Sequence, residues 1–430
     1  MRDPLTSARS VRGDVRLKSP PKPGPAGGSP SRRSDRALDW FVFFVADVQT
    51  GFGPFVAVYL TTQKWTQIDI GLVLTIGGFV GLLAQIPAGA IVDGVRSVRL
   101  AAAISLVSVA LSAFALAIWP VYLFVTASRV LQAGASCVLG LAITRISLDL
   151  AGRNGASRRF GRNASFASVG TGLAAAGMGA CGFYLSNRAV FVLAGLLAIP
   201  AVVALFQIQG MRRPPPKPRS RGTGTRRPAL LSDLWTLVRI RPLMVFAVCL
   251  ALFHLANASM LSLAASMLTL HAAEAASALV AASIVVPQLI VTVLSPGVAS
   301  RAQIWGRKPL LAVGFLALAL RGSLFAWTID PRLLVAGQVL DGISAAVLGV
   351  LIPLTIADVT RGSGRFGLAQ GVVGTAMGVG AALSTTLSGY LADTFNSRYA
   401  FMALASVAVV GLLGLLAVMP ETRDDAATDD

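Results

Sequence analysis

Twelve stretches of about 20 predominantly apolar residues run along the 430-residue chain. Each is long enough to cross about 30 Å of hydrocarbon as a helix. They cover residues 38–61, 69–92, 99–119, 121–148, 164–186, 189–209, 242–268, 277–299, 309–328, 332–357, 367–392 and 396–419. A segment inside a bilayer must satisfy its own backbone N–H and C=O groups, and the period-2 alternation of a strand barrel is absent, so helices are expected. Charged residues make up 13% of the chain, about half the share of a soluble domain. The predicted class is an all-α integral membrane protein with twelve transmembrane helices.

The net charge of +18 raises nucleic-acid binding as an alternative, and the placement of the charge argues against it. Nine Lys and Arg fall between Arg2 and Arg36, and nine more between Arg212 and Arg241. Twelve others cluster after segments two, four, eight and ten, whereas the opposite loops hold only Lys64, Arg188, Arg332 and Arg398. This alternation is the positive-inside pattern, which predicts a cytoplasmic (inner) membrane protein with both termini in the cytoplasm. The basic segments suit anionic inner-leaflet lipid as a partner. Cys137, Cys181 and Cys249 lie in apolar segments, and His254 and His271 are far apart. Neither a disulfide framework nor a metal site is predicted, and no cofactor.

Two low-complexity stretches divide the chain. Residues 1–36 are rich in Pro, Gly, Ser and Arg and are expected to be a disordered basic tail. Residues 210–241 form a basic linker between segments six and seven, ending in an amphipathic stretch, Asp233 to Leu243, that suits the membrane surface. The predicted units are a six-helix half at 37–209, a second at 242–420 and an acidic tail at 421–430. Co-linear matches support duplication: Arg159-Phe160-Gly161 recurs as Arg365-Phe366-Gly367, and Tyr184-Leu185 as Tyr390-Leu391.

Several motifs carry a resemblance. The loop after segment two, GAIVDGVRSVR, sets Gly89 and Asp93 one helical turn apart, with Arg96 and Arg99 following within reach of the carboxylate. Its counterpart in the second half keeps Gly306, Arg307 and Lys308 in WGRK but has no aspartate. Segment four carries Arg129-x-x-Gln132-x-Gly134. These features resemble the major facilitator superfamily over roughly residues 38–420. The resemblance implies two pseudo-symmetric six-helix halves, with the segment-two loop acting as a charged latch against helix eleven. Gly94 stands where that family usually has a basic residue, and segment five lacks the Gly-Pro signature of many proton-driven exporters.

A guanidinium at mid-membrane costs about 2.5–3.5 kcal/mol on insertion-based scales, so Arg129 should face a wet cavity or a partner. Asp47 and Gln49 on segment one, His254 and Asn257 on segment seven, and Gln338 and Asp341 on segment ten are comparable groups. The resemblance implies that helices one, four, seven and ten line a central cavity. Arg321 on segment nine falls outside that set, and a structural role is expected for it. Asp149 and Asp358 sit at matching helix ends near Arg153 and Arg361, where salt bridges are expected.

The expected function is secondary active transport of a small organic molecule by alternating access, with protons as the coupling ion and efflux as the direction. Asp47 or Asp341, sensing Arg129, would load and release the proton. The alternative is uptake of a small organic anion with Arg129 as its contact. A non-transporting receptor or scaffold is the alternative of another class. A GxxxxGK[ST] loop and an HExxH motif are both absent, so neither ATP-driven pumping nor enzymatic activity is expected. One chain holds both halves and can act as a monomer.

Overall fold

The computed structural model describes residues 32–52, 54–209, 230–271 and 276–423. Residues 1–31 of the expected tail at 1–36, 210–229 of the linker at 210–241 and 424–430 of the acidic end at 421–430 lie outside the described residues. Among the described residues, twelve helices are long and apolar enough to cross a membrane. They are α1 (Arg32–Thr62), α2 (Ile68–Gly94), α3 (Val98–Ile118), α4 (Tyr122–Gly152), α5 (Asn154–Tyr184) and α6 (Asn187–Gln207) in the first half. The second half holds α7 (Arg241–Leu268), α8 (Leu279–Ile304), α9 (Lys308–Trp327), α10 (Pro331–Val359), α11 (Phe366–Thr394) and α12 (Ser397–Val418). Side chains that accept from the first turn mark several starts: Thr66 before α2, Ser97 before α3, Ser186 before α6 and Asn396 before α12. Gly152, with φ 65°, ends α4 and breaks it from α5.

Each half has its own apolar core. One cluster draws on residues from Ala37 to Ile208. The other runs from Leu237 to Met419 and takes in Ala156 and Phe160 from α5. Across the junction α2 packs on α11, and α5 packs on α8. The lysines and arginines of the even-numbered loops gather at one end of the bundle, called here the basic face.

The first helix begins at Arg32, inside the stretch expected to be disordered. Tertiary partners order its polar start. Ser34 Oγ donates to the Gln209 carbonyl (2.9 Å) and accepts from the Gln209 N–H (3.0 Å). Asp39 is buried and ion-paired with Arg159, also buried, and with Arg162 on α5. Asp35 lies 3.7 Å from Arg159. Asp39→Ala is therefore expected to cost about 3–5 kcal/mol, because it strands a buried guanidinium. An unchanged unfolding midpoint for the detergent-solubilised variant would contradict this.

The amphipathic stretch is a separate helix, Leu230–Val238, ending before Arg239 rather than continuing to 243. Pro242 opens α7 and marks the break. Leu237 is buried, while Trp235 is exposed with the Arg239 guanidinium 5.2 Å from its ring. Arg365 bonds Asp233 of this helix at 2.7 and 3.0 Å, tying it to the start of α11. Beyond α12, Glu421 accepts from the Arg307 and Lys308 N–H groups at the start of α9 (2.8 and 3.0 Å). Burial would raise its carboxyl, but the backbone donors of Arg307, Arg423, Lys308 and Thr422 outweigh burial and hold it below the usual range.

Candidate functional site

Two features define the site: a closure at the basic face, and polar side chains beyond it. The closure is centred on Asp93. Its carboxylate accepts from the Gly367 N–H (2.9 Å) and the Leu368 N–H (2.8 Å) at the start of α11. The first turn of a helix has unpaired N–H groups and a partial positive charge, so a carboxylate there is doubly satisfied. Gly89, one turn earlier, lies directly against the Gly367 carbonyl, where a Cβ would collide with backbone. The glycine four residues before the aspartate is thus required by close approach of α2 to α11. Arg145 on α4, 3.7 Å from Asp93 and 3.0 Å from Asp149, completes the cluster.

Arg96 and Arg99 do not take that place. Arg96 is exposed, and Arg99 donates to the Ile208 carbonyl at the end of α6. Asp149 pairs with Arg145, and the side chain of Arg153 lies outside the described structure. Asp358 pairs with Arg307 (2.9 Å). Arg307 also donates to the Ala302 carbonyl (2.7 Å), and Gly306 supplies the left-handed turn (φ 90°) ahead of it.

The other pseudo-symmetric contact joins α5 and α8. Gly161, the counterpart of Gly367, packs against Ser295 and Ala299. Ser157 donates to the Ala299 carbonyl, and Ser165 to the Thr292 carbonyl (2.9 Å). Gln370 on α11 donates to Thr144 on α4 (3.1 Å). Leu82 meets Gly378 still deeper. At 1.5 Å per residue, Gly378 lies about 18 Å along α11 from the basic face, so the closure is a plug about half a bilayer thick.

Three of the four helices that carry the predicted polar residues are broken beside them. Helical pieces Arg32–Thr50 and Pro54–Thr62 of α1 flank a break just after Asp47 and Gln49. Pieces Arg241–Asn257 and Met260–His271 of α7 flank another just after His254 and Asn257. Gly337 interrupts α10 just before Gln338 and Asp341. A break frees backbone groups, which are tolerated at membrane depth only where protein or water satisfies them. Arg129 does so for α1: it donates to the Phe52 carbonyl (3.2 Å) and to Gln132 Oε1 (3.0 Å). Ser384 on α11 does so for α7, bonding the Ser259 N–H and hydroxyl at 3.1 and 2.8 Å.

Arg321 is the hub of the second half. It is fully buried on α9. It donates to Asn257 Oδ1 (2.8 Å), Asp341 Oδ1 (2.6 Å) and Gln338 Oε1 (2.7 Å), joining α7, α9 and α10. Its side chain thus holds three of the predicted cavity residues, so it belongs with that set. The signal available was charge balance: a deep arginine in α9 needs a carboxylate, and Asp341 lies at similar depth on the next helix.

Neither of the carboxylates expected to sense Arg129 is ion-paired with it. Asp341 is paired with Arg321, and among the described residues Arg129 makes no ion pair. Asp47 is buried against Gly170 on α5, and its Oδ1 has no hydrogen-bond partner. Arg129 Nε is likewise unpartnered, lying against Gly77 of α2. His254 is turned to its own helix, with Nδ1 3.0 Å from the Leu250 carbonyl and its ring edge-on to Phe253. Gln49 is half-buried beside the α1 break. Asp47 lies about 22 Å along α1 from the basic face, just past the plug. No cluster of metal-binding side chains occurs among the described residues.

The chain matches the family profile described as Major Facilitator Superfamily over residues 40–301 and again over 248–429. It is 35% identical over 404 residues to an MFS-type transporter of Mycobacterium tuberculosis strain H37Rv, covering 91% of this chain and 94% of that protein. A puromycin resistance protein of Streptomyces alboniger is 33% identical over 113 residues, 26% of this chain and 22% of that protein. In fold the chain is similar to the human organic anion transporter MFSD10 (TM-score 0.71, 18% identity, 90% of this chain and 100% of that one). It is equally similar to the Escherichia coli fucose:proton symporter (TM-score 0.71, 15% identity, 90% and 99% covered).

Proposed function

The chain belongs to the major facilitator superfamily of membrane transporters, and from that premise we propose that it exports a small organic molecule by proton-coupled alternating access. Asp47 is the observation that carries the coupling: a buried carboxylate on a broken membrane helix, with an oxygen that no donor reaches and that can therefore hold a proton. Asp341 is the second candidate. It is partly exposed, and its partner Arg321 can be kept or released as the halves move.

The positive-inside pattern supports assigning the basic face to the cytoplasm. The plug then closes the cytoplasmic side, and the polar groups beyond it are left to the other side. The opposite state would require Asp93 to leave the α11 N-terminus and the α5–α8 contact to part. Few charges amid many apolar groups suit an organic cargo with apolar surface. Similarity to a puromycin resistance protein supports efflux.

One observation favours a second reading. The unpartnered Nε of Arg129 offers a donor to a carboxylate, which suits uptake of a small organic anion. A non-transporting receptor or scaffold would tolerate neutralising Arg129, Asp47 and Asp341.

The test is proton flux in proteoliposomes that hold a pH-sensitive dye, challenged with a panel of organic compounds. Substrate-dependent proton movement is expected, with Asp47→Asn or Asp341→Asn abolishing it. Coupled transport that survives in both variants would end the proposal.

A further inference from the structure

We propose that the groove between α1 and α6 at the basic face is a binding site for one anionic phospholipid. The groove has a volume of about 880 Å³ and is lined at its rim by Arg32, Arg33 and Arg36. All three are exposed, and no Asp or Glu lines the groove. The acids beside these arginines are committed elsewhere: Asp35 and Asp39 pair with Arg159 and Arg162 of α5. The segment that presents the arginines is held in place, because Ser34 exchanges two hydrogen bonds with Gln209 at the end of α6.

Depth gives the ligand its chemistry. On α1 the wall passes from Arg36 to Trp40 to Phe44, one turn at a time. On α6 it passes from Gln207 to Val203 to Ile199 in the same direction. Trp40 is half exposed and stacks near Phe44, with ring centroids 5.8 Å apart. Guanidiniums at the surface, an indole at the interface and apolar groups beneath follow the order of a phosphate headgroup, glycerol backbone and acyl chain. A free phosphate would use the rim alone. Residues 1–31 carry net positive charge and do not complement the groove, whereas the acidic residues 424–430 do so only in charge.

The test uses the full-length protein in nanodiscs. Quenching of Trp40, taken as wild type minus Trp40→Phe, is measured with brominated phosphatidylglycerol and with brominated phosphatidylcholine. Each arginine near an anionic surface strengthens binding about fivefold, so phosphatidylglycerol is expected to quench at a mole fraction about tenfold lower or more. The variant Arg32→Gln/Arg33→Gln/Arg36→Gln changes exposed side chains only and is expected to erase that preference. Removing residues 424–430 is expected to leave it unchanged. Equal quenching by the two lipids in the wild type would overturn the inference. So would a preference that survives the triple replacement, or one that emerges only when residues 424–430 are removed.

Discussion

Arg321→Met is expected to destabilise the second half by about 3–5 kcal/mol and to abolish transport. The guanidinium is fully buried and serves acceptors on three sites at once: Asn257, Asp341 and Gln338. Removing it leaves a carboxylate and two amides without their donor, at about 1–3 kcal/mol per orphaned buried group. It also unties α7 from α10 beside their breaks. The double variant Arg321→Met/Asp341→Leu tests the cause. Replacing a buried ion pair with apolar residues of similar size is often neutral or better, so the part of the loss due to the stranded carboxylate is expected to return, the orphaned Asn257 and Gln338 keeping the rest, while transport stays lost. The check is the thermal unfolding midpoint in detergent alongside flux in proteoliposomes. If the single variant unfolds at the wild-type temperature, the hub is not what joins these helices.

Asp93→Ala is the second large effect. Two hydrogen bonds to a charged acceptor, each worth about 1.5–3 kcal/mol, exist only while α2 meets α11. A loss of about 3–6 kcal/mol from that state shifts the balance between closed and open by about 100-fold or more. Gly89→Leu is expected to act in the same direction without touching any charge, since its side chain would collide with the backbone of Gly367 and Leu368. The readout is a cysteine at Ala299, which is buried against Gly161 in the closed state. Its labelling from the basic face is expected to speed up at least tenfold in both variants. Labelling that stays slow in both would remove Asp93 and Gly89 from the closure.

The twelve spans are legible because a helix in hydrocarbon must be long and apolar, a property each segment carries by itself. The Gly89–Asp93 spacing is legible for a similar reason: one turn of α2 sets both residues on the face that meets α11. The donor side of that contact is not, because its donors are the Gly367 and Leu368 N–H groups, which have no letter of their own. Arg145, rather than Arg96 or Arg99, approaches Asp93 because it comes from a neighbouring helix, and order along the chain favours the loop residues instead. Arg321 stands apart from the cavity residues in the sequence for the same reason. Periodicity places it on α9 but is silent on the faces of α7 and α10 that meet it. The start of α1 has the composition of a loop, yet Ser34 and Asp39 find partners at Gln209 and Arg159, far along the chain.

The most direct test of alternating access measures both ends of the molecule at once. Spin labels at Arg96 and Arg301 would report across the basic face, and labels at Leu185 and Phe395 across the opposite end, with Cys137, Cys181 and Cys249 replaced. All four positions are exposed and lie in or beside loops or helix ends of opposite halves. The account predicts two populations in each pair, shifting reciprocally: as the basic-face distance lengthens on lowering pH or adding substrate, the opposite distance shortens. A single unchanging distance in both pairs, under every pH and substrate condition in which flux is measured, would contradict it.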